Sequence, residues 1–252
     1  PMATGVLVLG FGNGTRLLQY ITDGDKSYGA TIVLGAATIT DDHEGELISE
    51  VDASEISDEQ IKEGLAKMKG VIQQRPSSVS AVKVGGERAY DRVRAGEVFE
   101  LEARTITISA LDILEIRRIA RRIEIDIDVT CSAGTFIRAI ARDLGSDLGV
   151  GGHLSVLRRT RVAGFPISQA ISFEDLKSQS FTPLELSDVA RTTFQVRELA
   201  LDEVLELSFG RPLAVNPSAE IYAALSPDNR LIALLKNESE KAKPIAVFAA
   251  AN

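Results

Sequence analysis

A run of alternating glycines near the start of the sequence is the first feature that could do chemistry, because glycine-rich turns can bind phosphates. Residues 10–14 carry glycine at every second position, after the apolar residues 6–9 and before a helix-like stretch at residues 15–21. A dinucleotide site needs G-x-G-x-x-G, in which each glycine has its own steric purpose. Thr15 stands where the third glycine should be. We therefore predict a glycine-rich turn into a helix, and NAD-dependent oxidation is a disfavoured alternative.

The other residues typical of enzyme sites form no standard catalytic or metal-binding pattern. No G-x-S-x-G segment occurs, and the two histidines lack local triad partners. Asp41, Asp42 and Glu44 are spaced too loosely for a calcium loop. The single cysteine, Cys131, cannot form an internal disulfide, and with two histidines it is too little for a common zinc site. We expect no metal and a reducing compartment.

The composition is that of a globular protein large enough for one large domain and a small one. The chain has 252 residues, of which 44% are hydrophobic. Its longest apolar runs are far shorter than the roughly 20 residues of a membrane helix, and no charged-then-apolar leader opens it, so we expect a cytoplasmic protein. The net charge of −8 argues against attraction of the whole surface to nucleic acid. Arginine and lysine nevertheless cluster at residues 83–94, 117–122 and 158–161, either as solvated faces or as a local basic surface.

Hydrophobic periodicity predicts the elements that position these residues. Alternation indicates strands at residues 28–34, 105–116 and 123–131, with an arginine-rich hairpin between the last two. Helical spacing indicates a helix at residues 57–69, begun by a capping box of Ser57 and Gln60, and another at residues 135–148. Between the first strand and the first helix lies the acidic loop, residues 38–46.

The C-terminal part is predicted to form a separate, smaller unit. The polar stretch at residues 178–193 indicates a seam between domains. Beyond it, Asp202 can cap a short helix that reaches Phe209, and strands are expected at residues 221–225, 230–235 and 245–248. These elements suit a small β-rich accessory domain.

Five segments, in the same order, resemble the TruB class of pseudouridine synthases. Residues 1–7 are similar to the latter part of its signature G-T-L-D-P-x-A-T/S-G-V/M-L, cut directly after the Asp. The other four are K-S-Y at residues 26–28 with the acidic loop, P-S-S-V-S-A-V-K at residues 76–83, C-S-A-G-T-F-I-R at residues 131–138, and G-H-L-x-x-L-R-R-T at residues 152–160. Each motif is weak alone, and their shared order across residues 1–161 carries the resemblance.

The resemblance implies an α+β fold with a mixed, largely antiparallel sheet flanked by helices, plus a small β-rich PUA-like domain. It places the catalytic domain at residues 1–185, with an RNA-gripping thumb at about residues 76–100, and the RNA-binding domain at residues 190–252. The implied activity is isomerisation of uridine to pseudouridine at position 55, in the T-loop of tRNA, without a cofactor. The base must be flipped out of the T-arm, which costs a few kcal/mol. We expect a monomeric protein that requires no protein partner.

Two other functions stay open at this point. One is a non-catalytic protein that binds or folds tRNA, and the other is a guide-RNA-dependent relative that acts on other RNAs.

The resemblance also implies the catalytic residues. It places the nucleophilic aspartate immediately before Pro1, so we expect the natural protein to extend beyond this start. Tyr28 matches a tyrosine that stacks on the flipped base and lies near the sugar carbon that loses a proton, although its strand position would also suit a core aromatic residue. Arg138 matches the arginine that pairs with the nucleophile, which an arginine fork and a helix N-terminus both favour. The alternative for Arg138 is a surface pair with Asp143 or Asp147.

Further residues are implied to contact the substrate. Phe136 stands where the family usually has tyrosine, so stacking can persist without a hydroxyl contact. Leu157 matches a residue lining the uracil pocket, and Asp42 matches an aspartate that orders the flipped nucleotide or its neighbours. The implied RNA-binding residues are Lys83, Arg88 and Arg92 of the thumb, with Arg88 and Arg92 one turn apart if helical, and Arg158 and Arg159.

Overall fold

The computed structural model describes residues 2–80, 83–84, 87–88, 101–216 and 220–249. The strands are β1 (Thr4–Gly5), β2 (Lys26–Leu34), β3 (Ala36–Thr38), β4 (Leu47–Glu50), β5 (Gly70–Gln74), β6 (Lys83–Val84), β7 (Glu87–Arg88), β8 (Arg104–Ile119), β9 (Arg122–Cys131), β10 (Gly152–Val162), β11 (Phe165–Pro166), β12 (Val196–Glu198), β13 (Leu213–Ala214), β14 (Ile221–Leu225), β15 (Leu231–Glu238) and β16 (Lys241–Val247). The helices are α1 (Leu18–Thr22), α2 (Asp58–Ala66), α3 (Ile137–Asp147), α4 (Phe173–Lys177), α5 (Leu186–Thr193) and α6 (Leu201–Ser208), with 3₁₀ turns at Gly12–Leu17 and Ile167–Gln169.

The chain forms two compact units. The first comprises Pro1–Val6 and Asp23–Val162, and the second comprises Leu7–Thr22 and Ala163–Asn252. The boundary between the units, at Val162 and Ala163, falls before the predicted seam at residues 178–193. The predicted catalytic and RNA-binding domains, residues 1–185 and 190–252, stay a prediction about domain identity.

The first unit is built on a sheet with the strand order β1-β10-β2-β9-β8-β5. Strand β1 pairs with β10 in parallel, and the other neighbours are antiparallel. In β9 the odd-numbered side chains from Ile123 to Cys131 are buried against α2 and α3, as the alternation predicts. The even-numbered positions carry polar groups on the other face, where Asp126 accepts a hydrogen bond from Thr31. The mixed, largely antiparallel sheet flanked by helices is therefore confirmed.

The arginine-rich end of the β8–β9 hairpin is paired with carboxylates. Arg117 contacts Glu115, Glu124 and Asp126. The neighbouring pairs are Arg118 with Asp58, Arg121 with Asp52 and Arg122 with Glu50. Because these arginines already have anionic partners, the structure favours a solvated, ion-paired hairpin here over a nucleic-acid surface.

The second unit contains a sheet with the strand order β12-β14-β15-β16-β13. Its core includes Tyr222, Ile232 and Leu235, which are completely buried, and Leu207 of α6 packs on the same cluster. Residues 7–22 belong to this unit, and Arg16 donates to the Val247 carbonyl oxygen at 2.6 Å. The predicted β-rich C-terminal unit is confirmed.

Several local predictions were wrong in detail. Helix α6 has Ala200 as its N-cap, and the Glu203 side chain, not that of Asp202, accepts from the Ala200 backbone N–H. Part of the predicted polar seam is helix α5. Arg88 lies in β7, and Arg92 lies outside the described residues, so the spacing expected for these two arginines stays a prediction.

Within the described part of the chain, no helix is long and apolar enough to cross a membrane.

Two glycines let helix α3 touch strand β10 backbone to backbone. A Cβ atom built on Gly145 would lie 2.2 Å from the Gly151 carbonyl carbon, and one on Gly152 would lie 2.2 Å from the Ala141 carbonyl oxygen. Both distances are far below van der Waals contact, so only glycine fits this approach.

We predict that Gly145→Ala destabilises the protein by about 2 kcal/mol, although the same change in an open helix interior is stabilising by about 1 kcal/mol. Urea unfolding measures the difference. Gly64→Ala in α2 is the matched control, because its Cβ would meet one side-chain atom, Leu144 Cδ1, rather than backbone. A gain in stability for Gly145→Ala would contradict the close approach.

Candidate active site

Helix α3 begins at a turn that is fixed by a buried glutamine. Gly134 has a positive φ of 83°, and the N-cap residue Phe136 makes no side-chain capping bond. Instead, Gln74 at the end of β5 accepts from the Phe136 N–H at 2.8 Å and donates to its carbonyl oxygen at 3.0 Å. Gln74 is only 3% exposed. The start of α3, and hence the side chain of Arg138 in its first turn, is positioned by β5.

Arg138 connects α3 with the acidic loop. Its Nη1 donates to the Thr40 carbonyl oxygen at 2.6 Å and to Asp42 Oδ2 at 2.8 Å, and its Nη2 donates to the Val79 carbonyl oxygen at 2.8 Å. The other carboxylate oxygen of Asp42 accepts from Thr40 Oγ1 at 2.5 Å and from the Glu44 N–H at 3.1 Å. The side chains of Arg138 and Asp42 are both largely buried. Their hydrogen bonds to each other and to the neighbouring groups therefore replace the bonds that water would otherwise make.

A second arginine lies one turn further along α3. Arg142 Nη2 donates to the Arg75 carbonyl oxygen at 2.7 Å, and Nη1 lies 3.4 Å from both the Pro76 carbonyl oxygen and Asp41 Oδ2. Its Nε donates to Asp143 at 2.8 Å. Arg138 and Arg142 therefore hold the acidic loop and the residue 75–79 segment against one face of α3.

Asp41 is an unusual neighbour of this pair. It is buried, and its φ of 58° lies in the left-handed region, which non-glycine residues adopt at some cost. Burial raises its pKa, while the positive charges of Arg142 and Arg138 oppose that rise. A buried carboxyl group with an arginine beside it suits a structural role, and the structure gives no reason to treat Asp41 as a nucleophile.

Tyr28 and Leu157 lie on the helix-covered face of the sheet. In the β2–β10 register, Tyr28 is opposite Arg159, and Leu157, two residues before Arg159, points to the same face. Both Tyr28 and Leu157 are half-buried and pack against the core of the first unit, as does Met2. The structure thus places the predicted base-stacking and pocket-lining residues on one surface, next to the first strand.

The phenol of Tyr28 is perturbed by its surroundings. Burial raises its pKa, and the negative charge that Cys131 carries when ionised adds to the rise. A hydrogen bond from Arg159 and the charge of that side chain act in the opposite direction. Arg159, which is opposite Tyr28 in the β2–β10 register, is therefore a cation close to this phenol.

The remaining predicted residues are more dispersed. Phe136 is half-buried at the start of α3, Arg158 is exposed, and Lys83 and Arg88 are opposite each other in the β6–β7 register. The alternative in which Arg138 pairs with Asp143 or Asp147 is wrong, because Asp42 is its acidic partner and Asp143 pairs with Arg142. A pair between Arg138 and a residue before Pro1 lies outside the described residues and stays a prediction.

Sequence reasoning missed Gln74, Arg142 and the carbonyl acceptors of Thr40 and Val79. Backbone carbonyls carry no residue signature, so no sequence pattern could have indicated the last two. Gln74 is a polar residue at a strand end, and only the fold shows that it is buried.

The dinucleotide alternative has no structural support. Residues 6–9 form no strand, and a 3₁₀ turn, Gly12–Leu17, contains most of the glycine run. The strand-to-helix turn that cradles a pyrophosphate is therefore not formed.

Comparison with solved structures defines the fold. The chain is similar to a protein in a "Cbf5-Nop10-Gar1 Complex", with a TM-score of 0.70 and 21% identity over 98% of this chain and 74% of that one. It is also similar to a chain in an "H/ACA RNP bound to a substrate RNA containing 2'-deoxyuridine", with a TM-score of 0.65, 19% identity and coverage of 94% and 70%. At these identities the likeness shows a shared fold.

Sequence comparison defines the family. Residues 1–137 match the TruB family pseudouridylate synthase N-terminal domain, residues 138–206 match the tRNA pseudouridylate synthase B C-terminal domain, and residues 194–249 match the tRNA pseudouridine synthase II C-terminal domain. The chain belongs to the TruB family of pseudouridylate synthases. It is 48% identical to tRNA pseudouridine synthase B of Paenarthrobacter aurescens, over 99% of this chain and 83% of that protein, and 45% identical to that of Corynebacterium diphtheriae, over 98% and 83%.

We predict that Arg138→Met destabilises the protein by about 3 kcal/mol, because it leaves the buried Asp42 carboxylate without its cation. The double variant with Asp42→Asn should recover part of this loss, which urea unfolding of the four proteins measures as a coupling energy. Arg121→Met, which removes an exposed ion pair with Asp52, should cost less than about 1 kcal/mol. Strictly additive effects of the two site substitutions would refute the coupling.

We predict that Gln74→Met costs about 2 kcal/mol, because the Phe136 N–H loses its acceptor inside the protein. The neighbouring Gln73→Met is the matched control, since Gln73 is exposed and bonds only the Thr105 hydroxyl. Its expected cost is below about 0.5 kcal/mol. Equal melting temperatures for the two variants would contradict the role of Gln74.

Proposed function

We propose that this protein is a cytoplasmic tRNA-modifying isomerase that converts uridine to pseudouridine at position 55, in the T-loop. Similarity to the tRNA pseudouridine synthase B proteins across 98 to 100% of the chain is the observation that carries this proposal. The local geometry agrees with it, since Tyr28 and Leu157 share one face of the sheet and Arg138 is held at the start of the helix on that face.

The reaction breaks the bond between N1 of uracil and C1′ of ribose and forms a bond between C5 and C1′. C5 loses a proton and N1 gains one, so no oxidant, reductant or cofactor is consumed. The nucleophile is the aspartate that the signature places before Pro1. Asp41 and Asp42 are buried and lack the flanking residues of the signature motif, so neither is a competing nucleophile.

Arg138 acts as the cation beside the nucleophile. A guanidinium carries five N–H donors in a fixed fork, and Asp42, Thr40 and Val79 orient this fork through three of the bonds that it donates. In this role Asp42 orders the site through Arg138, in addition to any contact with the flipped nucleotide. A preoriented cation stabilises a carboxylate without reorganisation during the reaction.

The flipped uridine is received by apolar and aromatic groups. The ring of Tyr28 stacks on the base, Leu157 lines the pocket, and Phe136 adds a second aromatic surface. Stacking and hydrogen bonds in such a pocket offset the few kcal/mol lost when the base leaves its stack.

The tRNA backbone is contacted by a small set of basic residues rather than by the whole acidic surface. Exposed Arg158 lies at the β1 side of the sheet and donates to Thr4 Oγ1 at 3.3 Å. Lys83, Arg88 and Arg92 belong to the thumb segment and provide further phosphate contacts. The protein acts as a monomer and needs no protein partner.

The complete protein, including the residues before Pro1, should release tritium from tRNA that carries uridine tritiated at C5. We expect one tritium per tRNA, no release when position 55 is cytidine, and no release when the aspartate before Pro1 is replaced by asparagine. The asparagine variant should still bind tRNA in a filter assay. Binding by the intact protein without any release would instead identify a non-catalytic tRNA-binding protein.

A further inference from the structure

Two adjacent arginines of β10 have different surroundings. Arg158 is exposed and is opposite Gly29 in the register with β2, whereas Arg159 is half-buried and is opposite Tyr28. Directly opposite residues on neighbouring strands have Cβ atoms about 5 Å apart, so their side chains meet. A half-buried arginine beside a half-buried tyrosine is poorly placed to bind a phosphate from solvent.

Arg159 is also bonded twice to Val6, which directly follows β1 within the signature segment. Its Nε donates to the Val6 carbonyl oxygen at 2.7 Å, and its own carbonyl oxygen accepts from the Val6 N–H at 2.9 Å. In the parallel pairing of β1 with β10, Gly5 is the partner of Arg159. These bonds fix the backbone of β1 to the residue that faces Tyr28.

Gly5 makes this attachment possible. It has a φ of 100°, and a Cβ atom built on it would lie 2.1 Å from the Arg159 carbonyl oxygen. Any side chain here would push β1 away from β10.

We propose that Arg159 is a positioning residue, which holds the Tyr28 hydroxyl at a fixed place relative to β1, rather than a phosphate-binding residue. The guanidinium of Arg159 connects β1, which follows the nucleophile along the chain, with Tyr28, which contacts the base. The role rests on the proposed function, because Tyr28 acts there on the flipped uridine. It replaces the interpretation of Arg158 and Arg159 as two equivalent RNA contacts.

The kinetic test compares Arg159→Gln with its neighbour Arg158→Gln in the complete protein. Arg159→Gln should lower the single-turnover rate at saturating tRNA on the order of 10- to 100-fold and leave the Kd for tRNA and its salt dependence nearly unchanged. Arg158→Gln should instead weaken tRNA binding and reduce the salt slope by about one unit. Arg121→Gln, on the ion-paired hairpin, should change none of these quantities.

A double-mutant cycle tests whether the effect passes through Tyr28. In a Tyr28→Phe protein, which lacks the hydroxyl, Arg159→Gln should cause no further loss of rate. An equal loss in both backgrounds would overturn the proposal, as would a change in Kd and salt slope like that of Arg158→Gln. If Arg159→Gln fails to fold, as judged by its thermal melt, Arg159→Lys is measured in the same way, because it keeps a cation at this position.

A titration of Tyr28 separates this inference from the proposed function. The tyrosinate absorbance of the protein minus that of Tyr28→Phe reports the pKa of this phenol, which Cys131 and Arg159 face. Arg159→Gln should raise that pKa, because the opposing cation is removed. An unchanged titration overturns the inference even in an active enzyme, whereas a shifted titration in a protein without tritium release supports it and refutes the proposed function.

Discussion

The arrangement of the site depends on the ion pair between Arg138 and Asp42. Both side chains are largely removed from water, and a buried charge is tolerated only when its partners are complete. The acidic loop supplies a carboxylate and a carbonyl oxygen, and the segment after β5 supplies another carbonyl oxygen. Three stretches distant in sequence must therefore meet before Arg138 can be buried.

The strands and helices that carry these groups were predictable from the sequence, because each buries one face and so has a regular spacing of apolar residues. Strand β9 alternates strictly, and α2 begins with the capping box that Ser57 and Gln60 indicate, with both reciprocal bonds formed. The boundaries were less predictable. Helix α3 begins at Ile137 rather than at Thr135, because Thr135 is used in the turn with Ser132 that precedes the helix.

The site was predictable only where the resemblance supplied it. It identified Tyr28, Arg138 and Leu157, and the structure places Tyr28 and Leu157 on one face of the sheet. It could not identify Asp42 as the partner of Arg138, because the pair spans 96 positions in sequence and depends on the path of the acidic loop. The buried bonds of Gln74 to Phe136 are likewise created by the fold, since neither residue type demands such a partner.

The close contact of Gly145 and Gly152 with the opposing backbones also limits how the protein can change over evolution. A helix that packs through side chains can shift by an ångström or more when a neighbour is replaced by a larger or smaller residue. Helix α3 meets the start of β10 through main-chain atoms at Gly145 and Gly152, so at this one point its distance from the sheet leaves no room for a side chain. Substitutions at Gly145 and Gly152 are therefore restricted by the backbone itself, whereas the apolar side chains of α3, such as Ile140 and Leu144, are restricted by the volume of the core.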